Sequence, residues 1–250
     1  GLDVAPKTAR NLVTTLKGMW KTAKAWGYVT HDPFDGLVMP RLNQVERVFY
    51  TLEQAKQIIT KANEPFKTMF WIVAETGIRG GELCGLSLDD VDLENCTLAV
   101  TRSAWRGTLQ TPKTANAIRC FSISPEVTEH LRQYLKTAWR ANDDRLLFAT
   151  KSGRAYDNMD VVHLSLQPIV AELGLPKAGL HALRHGNATK LDQDHVPIAV
   201  RVARLGHSKF ATTMKYTHMI GEDDRRVAAE LGRILAPSLT QNVDTIGFVH

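Results

Sequence analysis

Cysteine is scarce: Cys84, Cys96 and Cys120 are the only three in 250 residues, and no two form a C-x-x-C pair. So odd and widely spaced a set suggests neither a disulfide framework nor a zinc site, and fits a reducing compartment. Long apolar runs are missing as well. The longest strongly apolar stretch, Met69 to Ala74, falls far short of the roughly 20 residues that cross a bilayer. The N-terminus has no charged-then-apolar signal pattern, and no G-x-x-x-x-G-K-[ST] loop offers a nucleotide-phosphate cradle. Internal repeats and low-complexity tracts are absent. The expectation is a soluble, cytoplasmic protein with no membrane partner and no cofactor.

What is present is an ordinary globular composition, 44% hydrophobic, with length for one large domain or two small ones. A formal net charge of +5 permits an anionic partner, although a surplus this small does not show one. Residues 6–27 place Ala9, Leu12, Val13, Leu16, Met19, Trp20 and Ala23 at helical spacing, with Gly27 as a stop. Arg10, Lys17, Lys21 and Lys24 form a basic stripe beside that apolar one, which by itself is a solvated face. His31-Asp32-Pro33 breaks the helix, and a polar connector follows Val38-Met39-Pro40-Arg41. The boundaries expected are a partial helical unit over 1–41, a linker over 42–50, a main domain over 51–235 and a tail over 236–250. One helix and a turn cannot bury a core, so the first unit reads as the remnant of a helical domain whose beginning is absent.

In the main domain, Thr51 and Gln54 make a capping box for a helix from Leu52 to Ala62, and a second helix spans about Pro65 to Thr76. Gly77 and Gly80-Gly81 bracket Arg79 at a tight junction before a short helix, Glu82 to Gly85. The β-rich pieces LAVTR, GTLQT and IRCFSI between Thr97 and Ser122 predict a small antiparallel sheet, with Lys113 near its second turn. Ser124-Pro125 opens a helix to about Trp139. Another helix is expected from about Asn158 to Leu173 with Pro168 inside it, and a charged one from about Asp223 to Leu235.

The densest chemistry lies between Gly179 and Met219. His181, Arg184 and His185 stand at i, i+3 and i+4, on one face of a helix. His207 follows the Leu205-Gly206 pair that would end the next helix, and Tyr216 sits within T-T-M-K-Y-T-H. Upstream, in order, come T-G-I-R-G-G-E-L around Arg79 and the hairpin lysine Lys113. Each motif is weak alone, but this ordered set, spanning roughly residues 6 to 235, resembles the tyrosine recombinases, the phage integrase family.

That resemblance implies an α+β fold, mainly α: an integrase-type catalytic domain with a small antiparallel sheet, preceded by a partial core-binding domain. It implies a site-specific recombinase acting on double-stranded DNA as a homo-oligomer of four protomers, and it turns the stripe of Arg10, Lys17, Lys21 and Lys24 into DNA contacts. Cleaving a phosphodiester without metal needs a nucleophile, an offset for charge on the phosphorane and an acid for the departing 5′ oxygen. By resemblance, Tyr216 attacks to form a 3′-phosphotyrosyl bond, Arg79 and Arg184 bind the non-bridging oxygens, His207 donates, His181 accepts the phenol's proton and Lys113 is the acid. Glu82 and His185 support the site. Accessory factors and target sequence are not legible.

Blander readings stand beside these. The His181, Arg184, His185 trio could be a metal cluster, but it has no carboxylate or cysteine at ligand spacing. Asp89, Asp90 and Asp92 could mimic a metal nuclease, but their setting is turn-like. His218 and Tyr156 read as structural. Ile78 and Gly186 depart mildly from the family pattern. A type IB topoisomerase would use the same chemistry without a preferred site. A non-catalytic DNA-binding regulator is a further alternative, since Pro197 to Tyr216 could pass for a helix-turn-helix.

Overall fold

The computed structural model describes residues 4–42, 48–111, 118–206 and 222–236. The chain divides into two compact units, Gly1–Arg47 and Val48–His250.

In the first unit, helix α1 (Pro6–Ala25) begins on a proline that its first turn tolerates and stops before Gly27 in the left-handed region, φ +77°. Trp20 anchors the following turn: its Nε1 donates to the His31 carbonyl at 2.9 Å, and its ring meets Phe34 edge-on at 6.5 Å. Two members of the basic stripe lie on this aromatic pair, Lys17 over Phe34 at 5.6 Å and Lys24 over Trp20 at 5.0 Å.

The second unit is built around α3 (Phe66–Thr76), buried from Thr68 to Thr76. A helix apolar on all sides must be covered on all sides. The cover is α2 (Leu52–Lys61), α5 (Pro125–Thr137), α8 (Leu180–Gln193) and α10 (Glu222–Leu235). The Thr51–Gln54 capping box forms with both bonds in place, and Ser124 caps α5. After α4 (Gly80–Cys84) and a 3₁₀ turn come the strands β1 (Val91–Asp92), β2 (Thr97–Val100), β3 (Ser103–Trp105), β4 (Thr108–Gln110) and β5 (Arg119–Ser122).

The sheet differs from expectation in being two. Strands run antiparallel in the order β1-β2-β5, with Leu98 opposite Phe121, while β3 and β4 form a separate hairpin. The break falls where Thr101 donates to Asp90 at 2.7 Å and Arg102 donates to the Gly85 carbonyl at 2.8 Å, drawing the chain toward α4. Gly81 on α4 and Gly85 just after it leave room for it: a Cβ at Gly81 would stand 2.9 Å from the Ala104 carbonyl, and one at Gly85 2.7 Å from the Ser103 backbone.

The predicted helix from Asn158 is continuous but not uniform: α6 (Asn158–Val161), a π-helical turn (Val162–Leu166) and α7 (Gln167–Glu172) follow one another. Pro168 has no N–H for the ladder, and widening the turn before it absorbs the lost bond. Helix α9 (Ile198–Leu205) ends on Gly206, also left-handed at φ +62°. Among the described residues no helix is long and apolar enough to cross a membrane.

Candidate active site

Arg79 is the N-cap of α4, fixed at a strand-like φ of −74° and ψ of 148° between two helices. Its amide donates to Glu82 Oε2 and its Nη1 to Glu82 Oε1, both at 2.8 Å, and its Nη2 donates to the Gly206 carbonyl at 2.6 Å. The side chain is 45% exposed, so it has both an anchored side and an open one.

Arg184 comes from the middle of α8 and points inward, 4% exposed. Its Nη1 donates to the Gly77 carbonyl and its Nη2 to the Leu205 carbonyl at 2.6 Å. Among the described residues these bonds commit two of its five N–H groups. Burial pulls the Arg184 guanidinium down, the Arg79 charge adds to this, Glu82 opposes it and Arg119 deepens it again, to about 10. It stays cationic at neutral pH.

Glu82 holds Arg79 from α4. Burial raises its carboxyl, but the fork and charge of Arg119 and the amide and guanidinium of Arg79 outweigh burial and hold it at about 2. Arg119 donates from Nη1 to Oε1 at 3.0 Å and from Nη2 to Oε2 at 2.7 Å, and from Nε to the Arg204 carbonyl at 3.2 Å. Three consecutive carbonyls at the end of α9, those of Arg204, Leu205 and Gly206, thus accept from Arg119, Arg184 and Arg79 in turn. A helix C-terminus carries partial negative charge, which favours this. Three guanidiniums against one carboxylate still leave the cluster net cationic.

The structure therefore brings Arg79, Arg184 and Glu82 together. His181 lies exposed on α8, one turn before Arg184, its ring edge-on to His185 with centroids 4.8 Å apart. His185 Nε2 is buried with no hydrogen-bond partner among the described residues. Lys113, His207, Tyr216 and His218 lie outside the described residues. A cleft of about 650 Å³ opens beside Arg79, lined also by Glu82, Arg102, Trp105 and Gln110. At its rim Trp105 is 62% exposed, with the Arg106 guanidinium 4.7 Å from its ring centroid.

Sequence reasoning missed Arg119. A signal existed: alternation along β5 puts Arg119 on the same face as buried Phe121, and its guanidinium lies 5.8 Å from that ring. A cation aimed at the core needs a partner, and Glu82 is that partner. Arg204 on α9, 1% exposed, was missed as well; it pairs with Asp224 of α10 and donates to the Ser122 carbonyl.

The acidic trio is structural. Asp90 accepts from the Ser87 amide and the Thr101 hydroxyl, Asp89 pairs with Arg145, and Asp92 accepts from the amides of Glu94 and Asn95. Among the described residues no three His, Cys, Asp or Glu side chains are placed to hold a metal ion. Gly186 is accounted for by packing, since a Cβ there would lie 1.8 Å from the Tyr50 carbonyl. Tyr156 packs edge-on to Phe66 at 5.7 Å.

A helical domain with a small antiparallel sheet, and paired arginines set between a buried glutamate and a helix end, defines a class. The profile of the phage integrase family matches residues 44–222, and the chain belongs to that family, the tyrosine recombinases. It is 30% identical over 247 residues to a XerC-like tyrosine recombinase of Caldanaerobacter subterraneus subsp. tengcongensis, covering 86% of this chain and 63% of that one. The chain thus spans less than two thirds of that relative. It is 29% identical over 234 residues to the tyrosine recombinase XerC of Mycobacterium leprae, covering 88% and 75%. Among solved structures, the Tn1549 transposon integrase in complex with a circular intermediate DNA shares the fold at a TM-score of 0.72 and 24% identity, over 93% of this chain and 80% of that one. The XerA recombinase follows at 0.57 and 25%, over 90% and 76%.

Proposed function

We propose that this chain is a site-specific DNA recombinase that cuts and rejoins strands through a 3′-phosphotyrosyl intermediate, without metal or ATP. The observation that carries this reading is the convergence of Arg79 and Arg119 on Glu82, and of these two and Arg184 on the last carbonyls of α9. That helix end leads directly into the segment bearing His207 and Tyr216. A net cationic cluster with N–H groups to spare is what an anionic, pentavalent phosphorane requires.

The steps are those that the family resemblance implies for these residues. The Tyr216 oxygen attacks the phosphorus as His181 takes its proton; a phenol with an ordinary pKa of about 10 needs such help at neutral pH. Arg79 and Arg184 hold the non-bridging oxygens, with His207 as a further donor. Lys113 protonates the departing 5′ oxygen. The new ester conserves the bond energy, so the return step needs no external source. Residues 51–235 form the catalytic domain, and 1–41 contribute part of a helical clamp in which Arg10, Lys17, Lys21 and Lys24 follow the DNA backbone. Four protomers assemble on two sites, in the cytoplasm where the DNA lies.

The test is a pool of nicked duplexes of randomised sequence in which cleavage sheds a short strand and traps the protein. The unaltered chain yields a denaturant-resistant adduct; Tyr216→Phe binds the recovered duplex and yields none. An adduct of normal yield from Tyr216→Phe refutes the assignment of the nucleophile. Relaxation of a plasmid lacking any recovered sequence would favour a topoisomerase.

A further inference from the structure

Arg119 has no part in the chemistry proposed above, and its side chain is 9% exposed. It nevertheless seats both groups that hold Arg79. One is the Glu82 carboxylate, gripped by the Arg119 fork at 3.0 and 2.7 Å. The other is the end of α9: Arg119 Nε donates to the Arg204 carbonyl, and its guanidinium fills the notch at Gly206, where a Cβ would stand 3.0 Å from Cζ. Arg79 in turn rests on Glu82 Oε1 and on the Gly206 carbonyl.

We infer that Arg119 is a positioning residue, which locks Glu82 and the α9 terminus so that Arg79 keeps its free N–H groups turned toward a scissile phosphate. The physical reason is competition for a carboxylate. Each Glu82 oxygen is shared, Oε1 between the two Nη1 groups and Oε2 between the Arg79 amide and Arg119 Nη2. Arginine and carboxylate prefer a two-bonded fork. With Arg119 gone, Glu82 is free to turn and take Arg79 in such a fork, consuming the N–H groups that the phosphate would use. The local charge also falls, because Glu82 then neutralises Arg79 instead of Arg119. Both effects act on the phosphorane and neither on DNA binding at a distance.

The inference rests on the recombinase reading, and the test separates the two. Adduct formation under single turnover, at saturating duplex recovered from the randomised pool, is measured for the unaltered chain, Arg119→Ala, Arg119→Lys, Arg79→Ala and the double variant Arg79→Ala with Arg119→Ala. A displacement of about 1 Å costs up to about 10²-fold, so Arg119→Ala is expected to slow the adduct by about 10- to 100-fold with duplex affinity within about threefold. Lysine keeps the charge but not the fork, and Arg119→Lys falls between. The double variant is no slower than Arg79→Ala alone, within about threefold, since a residue acting through Arg79 has nothing left to act on. A purely structural role would slow both backgrounds equally, and that additive result overturns the inference, as does an unimpaired Arg119→Ala. If thermal unfolding shows Arg119→Ala to be misfolded, Arg119→Lys carries the same cycle. Failure of the unaltered chain to trap any duplex overturns the recombinase reading, and this inference with it.

Discussion

Glu75 lies in the last turn of α3 with no exposure, and its carboxyl receives the Ser124 amide and hydroxyl, each at 2.7 Å. Burial lifts it from an ordinary 4.5 to about 7; the two Ser124 bonds and the Arg204 charge oppose burial, and Glu126 assists it. The folded protein therefore keeps a proton that the unfolded chain has released between those two values. Stability must fall as pH rises through that window and level off above it. Each pH step costs about 1.4 kcal/mol, or about 3 kcal/mol in all. Glu75→Gln removes the titration but keeps an acceptor for the Ser124 amide. Urea unfolding of both proteins from pH 4.5 to 8.5 should give curves that nearly meet at the acid end and diverge by about 3 kcal/mol above pH 7, with the variant the more stable. A constant offset across the whole range would mean that Glu75 does not titrate between those values.

Glu82 titrates the other way. With its folded value drawn down to about 2, its contribution is present above pH 4.5 and is lost as pH falls through the acid range. Glu82→Ala leaves two guanidiniums facing an empty site and should cost about 3–5 kcal/mol in urea unfolding at pH 7; a loss below about 1 kcal/mol would contradict the pairing. On α1, Lys21→Ala should reduce the slope of log affinity against log salt by about 1 for nonspecific duplex. An unchanged slope would remove Lys21 from the DNA contacts.

Much of the fold was legible because its signals are local. The Thr51–Gln54 box, the Ser124-Pro125 start and the glycine stops at Gly27 and Gly206 act within one turn of chain, and each element begins or ends where they stand. The division of the sheet was not legible, because it depends on Thr101 reaching Asp90 and Arg102 reaching Gly85, contacts set by tertiary approach. The π-helical turn before Pro168 is similar: the proline announces a lost bond but not how the helix absorbs it.

At the site, Arg79 and Arg184 were candidates because the motifs around them resemble those of the integrase family. What holds them could not be read there. Arg119 is 37 residues from Glu82 in sequence, and only the pairing of β5 with β2 carries it to the carboxylate. The inward turn of Arg184 was hidden for a related reason. A face shared by His181, Arg184 and His185 follows from helical spacing, but the depth of each side chain depends on what packs over α8.

If the arginine cluster bears the charge of a phosphorane, single-turnover adduct formation by Arg79→Ala at saturating duplex is slower by at least about 10²- to 10³-fold with the duplex still bound. A rate close to that of the unaltered chain would contradict it.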